Sequence, residues 1–359
     1  MRTFIIAEAG VNHNGDLDKA LELVDVASQS GVDAIKFQTF NSKSLTTASA
    51  PKAKYQKKNT TSKGNQQEML QGLELSKGDY FKILNLCKER SIRFLSTAFD
   101  SRSLSFLVDD LKVDKLKIPS GEITNGPFLI DHAVTGLDII ISTGMSNLRE
   151  IETALGVVAF GYLNARDPCQ ESFEIAFHSE EGQKKLKEKV TLLHCTSQYP
   201  ALSSDINLKA ISTLKSEFNL RVGYSDHSEG ILVASNAVSL GAELIEKHFT
   251  LDKDLPGPDH KASLDPFELD ELVKTIRTTE EFLGDGVKVA RKAENENLIV
   301  SRKSIVASKE IRKGEIFTEE NLTFKRPGSG ISPMKFWKIL NKESNRNYSV
   351  DDLIDYDKH

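Results

Sequence analysis

Gly223-Tyr-Ser-Asp-His227 and Ile245-Glu-Lys-His-Phe-Thr250 decide how this chain is read. Each belongs to a short apolar run with the pattern of a strand, and each delivers a histidine where that strand would stop. Chemistry in parallel α/β proteins gathers at the carboxyl ends of strands, where the outgoing loops converge on one face. Two imidazoles and a carboxylate, His227, His248 and Glu246, at neighbouring strand ends suggest a metal site with open positions.

Working outward, the same punctuation recurs. Strands are predicted at about 4–8, 33–39, 93–97, 114–118, 138–142, 190–194, 221–225 and 242–247. They are short and rich in Ile, Val, Leu and Phe, as parallel strands buried on both faces require. Helical patterns separate them: apolar residues at 17, 20, 21, 23, 24, 26 and 27 mark the first, and 79–90, 101–111, 147–160, 207–218, 230–240 and 266–283 are similar, with 125–135 weaker. Eight strand–helix pairs are the count of an α/β (β/α)8 TIM barrel. A doubly wound open sheet is the alternative, and the lack of a GxGxxG turn after the first strand weighs against it.

Two connections are long. Residues 41–76 are polar and lysine-rich and leave the carboxyl end of the second strand, which suits a lid or binding loop. Residues 161–189 form a polar, partly helical insertion without evident chemistry. The barrel is expected over 1–286, a charged linker over 287–300 and a small β-rich module over 301–359, where short alternating strands surround a Lys-Gly turn. So small a module has a marginal core and gains from packing on another surface.

The 359 residues are 39% hydrophobic and 28% charged, ordinary for a soluble globular protein. No apolar run approaches a membrane span and the N-terminus has no signal-peptide pattern, so no membrane partner is expected. Cys87, Cys169 and Cys195 show no CxxC spacing, which fits a cytoplasmic location. The net charge of −5 gives no support for nucleic acid, and it obliges any anionic substrate to find local cations.

The strand ends supply them. Lys36, Lys117, Ser120, Ser142 and Ser225 are cations and hydroxyls suited to phosphate and carboxylate oxygens. The Ser120-Gly121 and Thr143-Gly144 turns could add backbone N–H donors. Glu8, Glu122, Glu246, His227 and His248 are ligand or acid–base candidates, whereas His13 and His260 are read as loop-ordering residues. Catalytic zinc usually takes three protein ligands, so two imidazoles completed by water and substrate oxygens suit a harder ion such as manganese. Both kinds of group on one rim imply an anionic substrate, a divalent cation and proton transfer.

Read together, Glu8-Ala-Gly-Val-Asn-His-Asn-Gly15, Lys36-Phe-Gln-Thr39, Lys117-Ile-Pro-Ser-Gly-Glu122, Ser142-Thr-Gly-Met145, Ser225-Asp-His227, Glu246-Lys-His-Phe-Thr250, Gly257-Pro-Asp259 and Lys325-Arg-Pro-Gly328 resemble the bacterial sialic acid (N-acetylneuraminate) synthase family, legionaminic acid synthases included. The C-terminal module resembles the antifreeze-like (SAF) domain of those enzymes. The resemblance implies condensation of phosphoenolpyruvate with N-acetylmannosamine or a close derivative. It implies Mn2+ or Mg2+ on His227 and His248, and a domain-swapped homodimer in which Arg326 reaches the sugar in the partner's site. It also implies phosphate and carboxylate contacts from Lys36, Lys117, Ser120, Ser142 and Ser225, roles for Glu8 and Glu246 in sugar binding or proton transfer, and substrate contacts from Gln38 and Tyr199.

Two departures keep the sugar open. Cys195-Thr-Ser197 stands where some relatives have Cys-Thr-Asn, and Ser301-Arg-Lys-Ser304 where some have an aromatic cluster. They fit a different sugar, 2,4-diacetamido-2,4,6-trideoxymannose, the precursor of N,N'-diacetyllegionaminate. Two other classes compete. One is a Schiff-base aldolase using Lys36, Lys117 or Lys247; the other is a non-enzymatic ice- or carbohydrate-binding protein.

Overall fold

Successive side chains of a strand point to opposite faces, and this alternation organises the molecule. The computed structural model describes residues 2–60 and 63–356; positions 61 and 62 of the long loop and 357–359 of the C-terminal module lie outside the described residues. Eight parallel strands, β1 (Phe4–Gly10), β2 (Ala34–Thr39), β3 (Arg93–Ala98), β4 (Lys115–Ile118), β5 (Asp138–Ser142), β6 (Val190–Cys195), β7 (Arg221–Asp226) and β8 (Leu244–His248), pair in chain order. β1 also pairs with β8, so the sheet closes into a barrel and the open-sheet alternative falls.

One side-chain set, including Ile5, Ala7, Ile35, Phe37, Ile139, Ile141, Val222 and Ile245, packs outward into the main core with the helices. The other faces inward. Ile6, Ala34, Leu95, Ile140, Leu193 and Leu244 form a separate apolar cluster, the floor of the barrel. Gly223 completes it, since a Cβ there would lie 2.7 Å from Leu193 Cδ2 and 2.4 Å from the Leu244 carbonyl oxygen. Further along, the inward positions of seven of the eight strands are polar: Glu8, Lys36, Thr97, Lys117, Ser142, Ser225 and Glu246. The functional layer therefore rests on a dry floor.

The helices start where their caps demand. Asp16 accepts from the Asp18 and Lys19 N–H groups to open Leu17–Gln29, and Asp265 forms a capping box with Glu268 around Pro266–Leu283. The expected helix 101–111 is an α-helix over Ser101–Ser105 followed by a π-turn over Phe106–Asp110. The insertion holds two helices, Gln170–His178 and Glu180–Lys189, and the first seats Phe173 edge-on to Phe160 of the preceding helix Leu148–Tyr162. The long loop contains short helices at Ser42–Leu45, Lys54–Asn59 and Gln66–Gln71.

One compact unit ends at Gly284 and a second begins at Asp285. The stretch 287–300, expected to be a linker, carries a helix over Asn295–Ser301. In the second unit β9 (Ser304–Ala307) and β10 (Leu322–Lys325) pair antiparallel, and the remaining β contacts are single bridges such as Ile311–Tyr348. Its core is small: Ile305, Ala307, Ile311, Phe317, Leu322, Ile339, Tyr348 and Ile354. Among the described residues no helix is long and apolar enough to cross a membrane.

Candidate active site

The polar storey of the barrel is a ring of compensating charges. Lys36 Nζ lies 2.6 Å from Glu8 Oε2, 3.6 Å from Glu246 Oε2, and donates to Thr97 Oγ1 at 3.0 Å. Lys117 Nζ donates to both Glu246 oxygens at 2.9 and 3.2 Å, and Ser225 Oγ donates to Glu246 Oε1 at 2.9 Å. Glu8, Lys36, Lys117 and Glu246 are all buried. Charges so deep must pair or lose their charge.

The two carboxylates answer differently. Burial pushes Glu246 up, but Lys117 and Lys36 outweigh it and hold the group well below the usual carboxylate range. Burial also pushes Glu8 up, to about 7: Lys36 pulls it down but offsets burial only in part, and the Glu246 charge adds to the rise. Glu8 Oε2 has the Lys36 ammonium at 2.6 Å as its close cation, in a contact that is poorly aligned for a hydrogen bond. Its other oxygen receives only a long bond from Gln38 Nε2, at 3.4 Å. Among the lysines, burial pulls both down; Glu246 and Glu8 more than restore Lys36, while Lys117 stays lowered.

Above this ring stand the two imidazoles, with ring centroids 5.5 Å apart. His227 Nδ1 donates to the Thr196 carbonyl at 2.8 Å, which leaves Nε2 for other work. His248 Nδ1 is buried without a hydrogen-bond partner, and burial drives this imidazole well below its ordinary pKa, followed by the effect of His227. It is thus a neutral imidazole with an orphaned nitrogen. Among the described residues no three His, Cys, Asp or Glu side chains converge on one metal position. The Glu246 carboxylate, suggested as a ligand, is held by lysines and a serine instead. The donor set fits an ion that takes two protein nitrogens and completes its shell from substrate and water.

One wall is lined by hydroxyls and a thiol. Gly144 N–H donates to Ser120 Oγ at 3.1 Å, so that turn spends its donor internally rather than in the expected anion nest. A Cβ on Gly144 would lie within 2.9 Å of Ser197, Ser120 and Cys195 side-chain atoms, so only glycine fits. Ser142 Oγ is buried and unpartnered on the inward face. Glu122 is half-buried at the rim and accepts from Asn125.

The mouth is roofed by rings. Tyr199 lies 4.1 Å from His227 and 5.7 Å from His248, and Tyr55 of the long loop stacks on Tyr199 at 5.0 Å. Asn59 Nδ2 ties the same helix to the Pro258 carbonyl at 2.8 Å. His260, bonded to Thr250 Oγ1 and Asn14 Oδ1, orders its loop, and His13 Nδ1 accepts from Gly15 N–H.

The barrel therefore brings together Glu8, Lys36, Gln38, Lys117, Ser120, Ser142, Tyr199, Ser225, His227, Glu246 and His248. Arg326 belongs to the second unit, exposed, with Nε donating to the Ser301 carbonyl at 3.1 Å. Lys247 is excluded as a Schiff-base lysine, because its side chain is fully buried on the outward face against Asp226. A broad cleft of about 1460 Å³ on the second unit is lined by exposed Lys335, Lys338 and Arg346 and offers no comparable buried cluster.

Three residues had no assigned role in the sequence. Cys195 follows Leu193 by two on β6 and so points inward; burial raises its thiol, but His227 and Ser120 outweigh that and lower it. Asp259 is buried with an unpartnered Oδ1, and burial raises it to about 6 against the pull of His227. Tyr55 had no periodic signal at all.

A NeuB family model matches residues 23–288 and a SAF domain model residues 302–358. N,N'-diacetyllegionaminic acid synthase of Campylobacter jejuni is 48% identical, over 98% of this chain and 99% of that protein. The Legionella pneumophila protein of the same name is 46% identical, over 98% of this chain and 92% of its own length. Among solved structures, N-acetylneuraminic acid synthetase from Leptospira borgpetersenii superposes with a TM-score of 0.69 and 35% identity, over 83% of this chain and 90% of that one.

Proposed function

The chain belongs to the NeuB family, and on that premise we propose that it is a nonulosonate synthase that condenses phosphoenolpyruvate with an N-acetylated mannosamine-type sugar and water, releasing phosphate. The observation that carries the reading is the buried ring of Lys36, Lys117, Glu8 and Glu246 directly beneath His227 and His248. Of the two sugars, 2,4-diacetamido-2,4,6-trideoxymannose is favoured, because both legionaminic acid synthases are nearly half identical over almost the whole chain. N-acetylmannosamine is the second reading, supported by the likeness to the Leptospira synthetase.

In the proposed reaction, C3 of the enol bonds to the sugar's aldehyde carbon, water adds at C2, and phosphate leaves with C–O cleavage. Lys36, Lys117 and Ser225 are already poised around a carboxylate, so they offer the cations and hydroxyl that the anionic enol needs. Ser142 Oγ and Ser120 extend that surface. As an anionic substrate enters, it competes with Glu8 for Lys36. Glu8, with a pKa of about 7, is then placed to take up a proton at Oε2 and to return it later. Glu246, kept ionised by two lysines, fixes their positions and faces the sugar side. Tyr199 and Gln38 complete the substrate surface, and Tyr55 helps to exclude water.

His227 and His248 would hold Mn2+ or Mg2+, which when bound supplies a Lewis acid for the aldehyde oxygen. The working protein is read as a cytoplasmic, domain-swapped homodimer in which Arg326 serves the partner's sugar site. The three free cysteines are consistent with a reducing compartment. The test is phosphate release from phosphoenolpyruvate with each sugar in turn, with and without EDTA. Turnover with neither sugar would overturn the reading, and the ratio of the two kcat/KM values chooses between them.

A further inference from the structure

His227 and His248 each have an outward-facing sequence neighbour, and those neighbours meet. Asp226 and Lys247 are register partners on β7 and β8, and Lys247 Nζ donates to Asp226 Oδ2 at 2.9 Å with both side chains at zero exposure. Lys247 also donates to the Ser228 carbonyl. Asp226 Oδ1 accepts from Ser228 N–H at 2.9 Å, Ser228 Oγ at 2.7 Å and Tyr224 OH at 3.3 Å. The carboxylate thus bends the backbone around His227, and the ammonium joins both sides of that bend to the strand that ends in His248.

The reaction proposed above uses none of these groups, because they lie behind the barrel wall. A buried ion pair is weak evidence for stability, since apolar residues of similar volume often do as well. Its geometry, however, fixes two backbones relative to each other. We infer that Asp226 and Lys247 are positioning residues that set the separation of the two imidazoles, so that both nitrogens address one divalent cation. The inference rests on the metal reading of His227 and His248. It extends that reading from the ligands to the groups that aim them, the kind of support on which metal affinity commonly depends.

The test is Mn2+ binding, followed by the electron paramagnetic resonance signal of the free ion, beside thermal unfolding. Variants are Asp226→Asn, Lys247→Met and the double variant, each with saturating phosphoenolpyruvate. The single variants strand one buried partner and lose stability, and the double variant regains most of it. Mn2+ affinity falls by about 10- to 100-fold in all three and is not regained in the double variant. A purely structural pair would instead restore affinity together with stability, and that result would overturn the inference. Ser228→Ala keeps both charges and removes one donor to Asp226; several-fold weaker Mn2+ binding is expected, and unchanged affinity counts against the inference even if the double variant fails to fold. Wild-type protein that leaves the free Mn2+ signal unaltered would remove the metal reading itself.

Discussion

Two buried lysine–carboxylate pairs sit within one barrel and have been given opposite tasks. Glu8 and Lys36 face the interior, whereas Asp226 and Lys247 face outward between β7 and β8. Both pairs are almost wholly out of water and both are close. They differ in how many partners remain. Asp226 accepts from Lys247, Tyr224 OH and both donors of Ser228, and has nothing left to gain. Glu8 has a lysine it shares with Glu246 and a long bond from Gln38. Burial makes a pair rigid when every lone pair is satisfied, and makes it responsive when some are not.

Five predictions break or sharpen this contrast. The largest effect is expected from Lys36→Met, which should lower phosphate-release turnover by about 10²–10³-fold, the cost of losing a buried charge-stabilising donor. Its stability should suffer less than that of Lys247→Met, since Glu8 can accept a proton and shed its charge. Lys247→Met leaves the buried Asp226 charge without its cation and should destabilise the fold by about 3–5 kcal/mol in urea unfolding. If the two lysine variants lose equal stability, the responsive and rigid pairs are not distinct.

Next comes pH. The folded pKa of Glu8, about 7, lies above its ordinary 4.5, so ionisation is what the fold resists. Its contribution to stability is complete below about pH 4.5 and is lost as pH rises through about 7. Wild-type Tm should therefore fall relative to Glu8→Gln across that interval, and a constant difference would return Glu8 to an ordinary carboxylate. Arg326→Ala should raise KM for the sugar by about tenfold or more, the worth of one charge-assisted hydrogen bond, with less change for phosphoenolpyruvate. Mixing it with a His248→Ala protein should restore some activity if each site draws on two chains. The smallest effect belongs to Tyr55→Ala, about 2- to 10-fold in sugar KM, in line with one stacked aromatic contact.

Much of the barrel was legible because each strand announces itself by an apolar run and a polar stop. Reading the residues where each strand stops brought Glu8, Lys36, Lys117, Ser225 and Glu246 to one rim, and the i, i+2 alternation explains why they share a surface. That alternation excludes Lys247, since residue 246 points inward and 247 cannot; reading it as a possible Schiff base left the alternation out. The helices of the long loop were not legible. Lys54–Asn59 is too short for a helical period to show, and it is held from elsewhere, by Asn59 on Pro258 and Tyr55 on Tyr199. The stretch 287–300 read as a linker because its charges mask the apolar run Leu298-Ile299-Val300 inside the helix Asn295–Ser301. Which lysine satisfies which carboxylate also escaped the sequence, because that depends on reach across the barrel rather than on order along the chain.

The apolar floor of Ile6, Ala34, Leu95, Ile140, Leu193 and Leu244 has a kinetic consequence. Ile6 and the rest of this apolar floor lie beneath Glu8, so its proton exchanges by way of the mouth through which the reactants arrive. Once they fill that mouth, Glu8 exchanges its proton with the bound reactants rather than with bulk water. Bulk pH should therefore register near neutrality in kcat/KM, which reports the free protein, while kcat stays comparatively flat.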